Sequence, residues 1–206
     1  MDSIRSTNFV TGPKPPIGVR DLAKAADTDP GYVSRLLGAL DADAVVDRSA
    51  RGQVERVDWR RLLQRWADES PVESRAMATT WFDPRGVEHA TTILRAATDV
   101  GFALTGSAVA ALLAPVAPTR LLSLYVADPA RVVATLGLRR ADTGANVVLL
   151  QAEDDGVFDG AVDRQGLSCA PLPVVVADLL SGPGRSPAEA EALMDWMAEH
   201  EEAWRG

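Results

Sequence analysis

Cysteine and histidine are scarce in this chain of 206 residues, and their scarcity excludes several kinds of site. Cys169 is the single cysteine, so no disulfide can form within the chain. The chain contains only two histidines in addition to this cysteine, so it has too few ligands for a zinc site built from cysteine and histidine. We therefore predict no metal and no cofactor, and we expect Cys169 to be a small core residue.

Long apolar runs are also missing. No segment reaches the roughly 20 apolar residues that a membrane-spanning helix needs, and the first residues lack the pattern of a signal peptide. Hydrophobic residues still make up 47% of the chain, which is enough for a core in one or two domains. The composition predicts a cytoplasmic protein.

Positive charge is in short supply as well, and the net charge is −8. The deficit is uneven along the chain. Residues 1–67 contain 11 basic and 9 acidic residues, whereas residues 68–206 contain 10 and 20. Any contact with nucleic acid is therefore expected in the N-terminal part, with the acidic remainder turned away. The small positive excess predicts weak binding by one copy and favours a homodimer.

Two amphipathic helices are predicted within residues 19–42. The first has one apolar face at helical spacing, formed by Val19, Leu22, Ala23 and Ala26. Residues 27–29 form the turn, Asp29 can cap the second helix, and Pro30 suits its first position. The second helix has its own apolar face, formed by Val33, Leu36, Leu37 and Leu40. The pattern indicates a helix-turn-helix.

A two-stranded ribbon is predicted next. Residues 44–47 and 53–57 favour strands, and Arg51 with Gly52 suits the hairpin tip between them. A ribbon after such a helix pair is typical of a winged helix, in which the second helix reads the major groove and the wing contacts the backbone. The candidate DNA-binding residues are Arg20, Gly31, Tyr32, Ser34, Arg35, Arg48 and Arg51.

Domain boundaries follow from proline, glycine and charge. Residues 1–17 are rich in proline and predict a flexible arm, and residues 18–67 form the predicted winged-helix domain. The last helix of that domain can be capped by Asp58, and its outer face carries Arg60, Arg61 and Arg65. The charge changes sign near residue 68, so the second domain is predicted at residues 75–206.

The second domain alternates helical and extended patterns. Residues 79–82, 121–126 and 146–150 favour extended structure, and the last of these is nearly all apolar, as expected when both faces are covered. Helices are predicted between them, including one from residue 87 that Gly101 ends, one from Pro173, and a last one from Ser186 to Trp204. The expected fold is therefore α+β, with an α/β second domain.

Gly106 and Ser107, followed by a short helix and a strand ending near Asp128, resemble the opening of the nucleotidyltransferase fold. In that fold a Gly-Ser pair holds triphosphate, and two carboxylates on the next strand hold Mg²⁺. Here the strand offers a single carboxylate, and Asp128 precedes Pro129 as a helix cap would. We therefore interpret Gly106, Ser107 and Asp128 as the remnant of a nucleotide site and predict that the chain is not an enzyme.

The winged-helix pattern, together with four segments of the second domain, resembles the family of AbiEi-like antitoxins and transcriptional regulators. These segments are residues 104–107 (LTGS), 144–147 (GANV), 176–180 (VADLL) and 182–185 (GPGR). The resemblance implies a DNA-binding winged helix joined to a nucleotidyltransferase-like domain without catalysis. It also implies an autorepressor of a type IV toxin–antitoxin pair, which antagonises a nucleotidyltransferase-like toxin without forming a stable complex with it.

Two alternatives remain open from the residues. The helix pair could dock a protein, which would make the chain a non-enzymatic interaction module. An active nucleotidyltransferase would need carboxylates from elsewhere, such as Asp128 with Asp142 or Asp178.

Overall fold

The computed structural model describes residues 14–152 and 156–205, so most of the predicted arm, residues 1–13, lies outside the described part. Over the described residues the chain folds as a mixture of helices and strands, which confirms the predicted α+β class. None of the described helices is long and apolar enough to cross a membrane.

Helices and strands are numbered here in chain order. The helices are α1 (Val19–Ala25), α2 (Pro30–Ala42), α3 (Trp59–Glu69), α4 (Val72–Arg75), α5 (Val87–Ala96), α6 (Ser107–Leu113), α7 (Pro129–Leu136), α8 (Gly156–Asp159), α9 (Leu172–Ser181) and α10 (Ser186–Glu199). A 3₁₀ turn covers Glu201–Ala203. The strands are β1 (Val46–Arg48), β2 (Val54–Val57), β3 (Ala76–Phe82), β4 (Phe102–Thr105), β5 (Leu122–Val126), β6 (Arg139–Arg140), β7 (Val147–Ala152), β8 (Val162–Arg164) and β9 (Leu167–Cys169).

The pair α1 and α2 forms where the sequence predicts it. Asp29 caps α2, because its carboxylate accepts from the backbone N–H of Tyr32 at 2.8 Å, and Pro30 is the first helical residue. Val33, Leu37 and Leu40 are buried on one side of α2, and the helix packs against α1. The amphipathic spacing therefore sets which side of α2 is left for solvent.

The end of α2 differs from the prediction. Ala44 has φ +54°, and the N–H groups of Ala44 and Val45 close the helix by donating to the carbonyls of Asp41 and Leu40. The predicted strand at residues 44–47 is therefore wrong at its start, because a left-handed residue belongs to the helix terminus. Strand β1 begins at Val46 and pairs antiparallel with β2, with a register shift between Asp47 and Arg48.

Seven strands form the main sheet, in the order β6-β3-β7-β5-β4-β9-β8. The pairs β5–β7 and β4–β9 are parallel and the others are antiparallel. Sequence analysis missed β4, β6, β8 and β9, which are two to four residues long. The helix predicted to end at Gly101 stops at Ala96, because Ala97 is extended. The last helix stops at Glu199 instead of Trp204, since His200 at φ −131° leaves the helical region.

A buried ion pair joins α4 and α9. Arg75 donates to Asp178 at 2.6 Å, and both side chains are less than a tenth exposed. The carboxylate of Asp178 also accepts from the hydroxyls of Tyr125 on β5 and Thr105 on β4, at 3.1 and 2.5 Å. These contacts place α9 on the sheet face that carries Thr105 and Tyr125, whereas α5 lines a groove with Leu104, which points to the other face.

Helix α3 packs against α9 and links the N-terminal helices to the sheet. Trp66 of α3 is buried, and the guanidinium of Arg75 lies 5.2 Å from its ring centroid. Arg60 of α3 reaches Asp195 and the carbonyl of Met194 on α10 at 2.8 and 3.1 Å. Buried residues from both parts of the chain belong to one contiguous hydrophobic core.

Ala44→Gly is expected to stabilise the protein. The left-handed conformation costs an alanine about 1–2 kcal/mol, and glycine removes this cost. Glycine also loses more conformational freedom on folding, which offsets about 0.5–1 kcal/mol of the gain. The net increase in the free energy of unfolding is therefore about 0.5–1 kcal/mol. Urea unfolding measures the change. Ala42→Gly, at the last residue of α2, is the matched control and should destabilise. Destabilisation by Ala44→Gly would contradict the conformation described for Ala44.

Arg75→Met and Asp178→Asn are each expected to cost about 3–5 kcal/mol of unfolding free energy, because each leaves a buried charge without its partner. The double variant should cost less than the sum, since it leaves neither charge. A double-mutant cycle by urea unfolding measures the coupling. Strictly additive costs would mean that the two side chains do not interact.

Candidate nucleic-acid interface

Helix α2 presents an exposed stripe opposite its buried face. Gly31, Ser34, Arg35 and Gly38 are all exposed and recur at spacings of three and four residues, so they share one side of the helix. The first three of these are predicted DNA-binding residues, and Gly38 is not among the predicted ones. A Cβ built on Gly38 would meet nothing within 4 Å, so the protein itself gives no packing reason for a glycine there. We call Gly31, Ser34, Arg35 and Gly38 the glycine-arginine stripe.

Arg35 is the cation of this stripe. Its Nη1 atom lies 3.7 Å from the position that a Cβ on Gly31 would occupy, so the guanidinium sits over the first turn of α2. The same Cβ would lie 2.9 Å from Oδ1 of Asp29 and would disturb the cap. Among the described residues, Arg35 has no acidic group within ion-pair distance. Its charge is therefore available to an external anion.

Tyr32 lies apart from the stripe. Its side chain is half-buried and packs against the core, and its backbone N–H serves the cap of Asp29. Tyr32 is thus a partly exposed residue in the first turn of α2.

The ribbon tip holds two arginines in different states. Arg48 is half-buried, and its guanidinium donates to the carbonyl of Gly52 at 3.2 and 3.4 Å, so it braces the turn. Gly52 has φ +79°, a conformation that suits glycine. Arg51 is exposed at the tip, and Arg20 is exposed on α1. Of the two predicted wing residues, Arg51 is therefore the one that projects into solvent.

The arginines of α3 are engaged within the protein. Arg65 pairs with Glu69 at 2.7 Å and also with Asp43, and Arg61 donates to the carbonyl of Ala44 at 3.3 Å. Together with the contacts of Arg60 on α10, these bonds give all three arginines of the outer face a partner within the protein. Glu69 lies four residues from Arg65 on the same helix, a spacing that favours an ion pair. The other partners lie outside α3, and the spacing of the arginines along that helix cannot indicate them.

The predicted nucleotide remnant forms a separate region. Gly106 has φ +62° and precedes α6, and a cavity of about 230 Å³ opens beside it and Ser107. The hydroxyl of Ser107 donates to Glu189 of α10. Asp128 caps α7 by accepting from the N–H of Arg131 at 3.1 Å, as its position before Pro129 indicates.

The acidic groups near this cavity are already used. Asp178 lines it, but both of its carboxylate oxygens accept hydrogen bonds from Arg75, Tyr125 and Thr105. Burial raises its pKa, and the hydrogen bonds act in the opposite direction. Over the described ranges, no group of three His, Cys, Asp or Glu side chains could hold a metal ion. The arrangement suits a structural carboxylate better than a metal ligand.

The pKa values of two further ionisable groups, Cys169 and Asp83, are shifted by burial and hydrogen bonds. Cys169 is fully buried, as predicted, and burial raises the pKa of its thiol to about 11. Burial also acts to raise the pKa of Asp83, but hydrogen bonds from Arg85 and His89 outweigh it and leave that pKa below its ordinary value. His89 of α5 is therefore a hydrogen-bond partner of Asp83 in the turn before that helix.

Comparison with known proteins gives one family. A family model described as a transcriptional regulator, the AbiEi antitoxin of type IV toxin–antitoxin systems, matches residues 56–198. The match begins on β2, so it includes α3 and the main sheet and leaves out α1 and α2. No curated protein and no solved structure matches the chain.

Gly38→Ala is expected to change protein stability and DNA binding in opposite directions. Alanine should raise the unfolding free energy by about 1 kcal/mol, because glycine is a poor helix former and the site is open. If the stripe meets DNA closely, the added methyl should weaken DNA binding about tenfold through steric overlap. Urea unfolding and a binding titration with the protein's own promoter DNA measure the two effects. A more stable variant with unchanged affinity would exclude close approach at Gly38.

Proposed function

The chain belongs to the AbiEi antitoxin family of transcriptional regulators, and on that premise we propose that it binds DNA and represses its own promoter. In this proposal α1, α2 and the β1–β2 ribbon form a winged helix-turn-helix over residues 18–67. Helix α2 enters the major groove and the ribbon tip lies on the phosphate backbone.

The observation that carries the proposal is Arg35 on the glycine-arginine stripe. An arginine with no internal ion-pair partner among the described residues, flanked by Gly31 and Gly38 on the same exposed side, can approach a surface closely. Arginine reads guanine through two parallel hydrogen bonds, and a helix without bulky neighbours can come near enough to make them. Ser34 adds a hydroxyl on the same exposed side, and the half-buried Tyr32 is a further candidate contact.

Electrostatics supports the same orientation. Residues 1–67 carry a small positive excess, and residues 68–206 carry twice as many acidic as basic residues. The phosphate backbone attracts the first part and repels the second, so DNA meets α2 and the ribbon. Since the excess is small, two copies acting together bind a promoter with two half-sites.

We further propose that residues 75–206 form a nucleotidyltransferase-like domain without catalysis. Gly106 and Ser107 then mark the former nucleotide site, in which Ser107 is bonded to Glu189 and Asp128 serves as a helix cap. As an antitoxin of type IV, the protein opposes a nucleotidyltransferase-like toxin without forming a stable complex with it.

A binding titration against promoter DNA and an unrelated duplex, each at two salt concentrations, tests the DNA-binding proposal. Arg35→Ala should weaken promoter binding by about 1–3 kcal/mol and reduce the preference for the promoter, because a base contact is lost. Arg51→Ala should weaken both duplexes alike and lower the salt slope by about one, because a phosphate contact is lost. Arg120→Ala removes the same charge from an exposed loop before β5 and serves as the control.

Equal affinities for the wild type, Arg35→Ala and Arg51→Ala would overturn the assignment of this face. Absence of any salt-dependent binding would overturn DNA binding itself. The helix pair would then be a protein-docking module, and the next experiment would be a search for its partner.

A further inference from the structure

One side of β3 lacks a neighbouring strand over most of its length. Strand β6 pairs with β3 only at Trp81 and Phe82, whereas β7 pairs with β3 from Ala76 to Trp81. On the side of β6, the rest of β3 therefore has no strand partner among the described residues. Met77 in this stretch is 69% exposed, so solvent reaches the strand there. We call residues 76–79 the open edge of β3.

The backbone groups of Ala78 point out of the open edge. The carbonyl of Thr80 accepts from the N–H of Ala141, which follows β6, so the backbone groups of Thr80 face the β6 side. In an antiparallel strand, alternate residues turn both their N–H and their C=O to the same neighbour. Ala78 therefore presents its N–H and its C=O to the open edge. Ala76 presents its C=O there, while its N–H donates to the carbonyl of Val72 in α4.

The cavity beside Gly106 lies next to the open edge. Ala78 is paired with Leu150, and Leu150 is paired with Tyr125, so all three lie on the sheet face that carries α9. Ala78 and Leu150 line the cavity, and so does the half-buried Ser123. On a strand added to the open edge, the side chain opposite Ala78 would point to the same face, and this face holds the cavity.

The cavity has room for one aromatic side chain. A dry cavity of about 150 Å³ holds a benzene ring. The cavity here has a volume of about 230 Å³ and therefore accommodates the ring of a phenylalanine. Glu73 and Asp178 are the charged groups among the described residues that line it, and Asp178 is already bonded within the protein. The remaining lining is apolar or carries hydroxyl groups, so the cavity favours an apolar side chain.

Charges of opposite sign lie at the two ends of the open edge. Arg139 and Arg140 of β6 are exposed, and Glu73 of α4 is exposed at the other end. None of these three has an ion-pair partner within the part of the chain that the structure describes. A strand that continues the direction of β6 along β3 would therefore begin near two cations and end near an anion.

We propose that the open edge of β3 binds an extended peptide of a partner protein as an added antiparallel strand. The peptide has an acidic residue near Arg140, then an aromatic residue opposite Ala78 that fills the cavity, and then a basic residue near Glu73. Backbone hydrogen bonds to Ala76 and Ala78 supply affinity, and the cavity selects the side chain. This binding does not depend on the DNA-binding proposal, because it uses β3 and not the glycine-arginine stripe.

Isothermal titration calorimetry of the full chain with the peptide acetyl-Thr-Glu-Phe-Val-Lys-Thr-amide tests the proposal, and saturable binding is expected. Replacement of the peptide's phenylalanine by alanine should weaken binding about tenfold or more, because the burial of an aromatic side chain is lost. The same peptide with N-methylphenylalanine should not bind, because a methyl group replaces the N–H that donates to the carbonyl of Ala78. Exchange of the peptide's glutamate and lysine should weaken binding several-fold.

Variants of the protein test the same contacts from the other side. Ala78→Pro removes the N–H of the open edge and leaves the bonds to β7, which use the alternate residues, so it should abolish peptide binding while thermal unfolding stays cooperative. Arg140→Met should reduce the preference for the peptide over its charge-exchanged form. Arg131→Met, which breaks an exposed pair with Asp99, is the control and should keep this preference.

The N-methyl peptide makes the decisive comparison without any change to the protein. Equal affinities for the peptide and its N-methyl form, or absence of saturable binding by the wild type, would overturn the proposal. A dimer in sedimentation that binds no peptide and that Ala78→Pro converts to a monomer would assign the open edge to a second copy instead. Binding that appears only after deletion of residues 1–13 would also overturn the proposal, because the edge would then belong to the chain's own first residues.

Discussion

A carboxylate that is removed from water must find hydrogen-bond donors, and Asp178 finds them on three different elements. Arg75 ends α4, Tyr125 lies next to the last residue of β5, and Thr105 ends β4. Each donor reaches the carboxylate of Asp178 only when the helix or strand that carries it is packed in its native position. This one side chain therefore fixes where α9 lies on the sheet and which side of it faces the strands.

The position of the N-terminal helices also depends on Asp178, through its partner Arg75. Arg75 uses one part of its guanidinium for Asp178 and lies over the ring of Trp66 on α3. Trp59 and Leu62 of α3 are buried in the same hydrophobic core as the inner side of α2 and the ribbon. The exposed stripe of α2 is thus positioned by a series of buried contacts that starts at the sheet, whereas Arg35 on that stripe forms no ion pair with another described residue.

The sequence predicts those features that depend on neighbouring residues and misses those that depend on distant ones. Asp29 with Pro30, and Asp128 with Pro129, are local signals, and both helix starts appear where expected. The left-handed Ala44 has no such signal, because glycine or asparagine usually marks that position. Strands β8 and β9 have three residues each, too few for an alternating pattern to be read. The partner of Arg60 lies 135 residues away, so nothing near that arginine indicates whether its charge is free.

The edges of the main sheet bear on how the protein behaves at high concentration. An open edge offers unpaired backbone groups to any other strand, and long apolar edges lead to aggregation. Here one edge is β6, two exposed arginines, and the other is β8, three residues that include Asp163 and Arg164. The two arginines of β6 repel a second copy of that strand, and the shortness of β6 and β8 leaves few backbone groups to a neighbouring molecule. The two short outer strands thereby oppose edge-to-edge association where they cover the sheet, whereas residues 76–79 of β3 extend past β6.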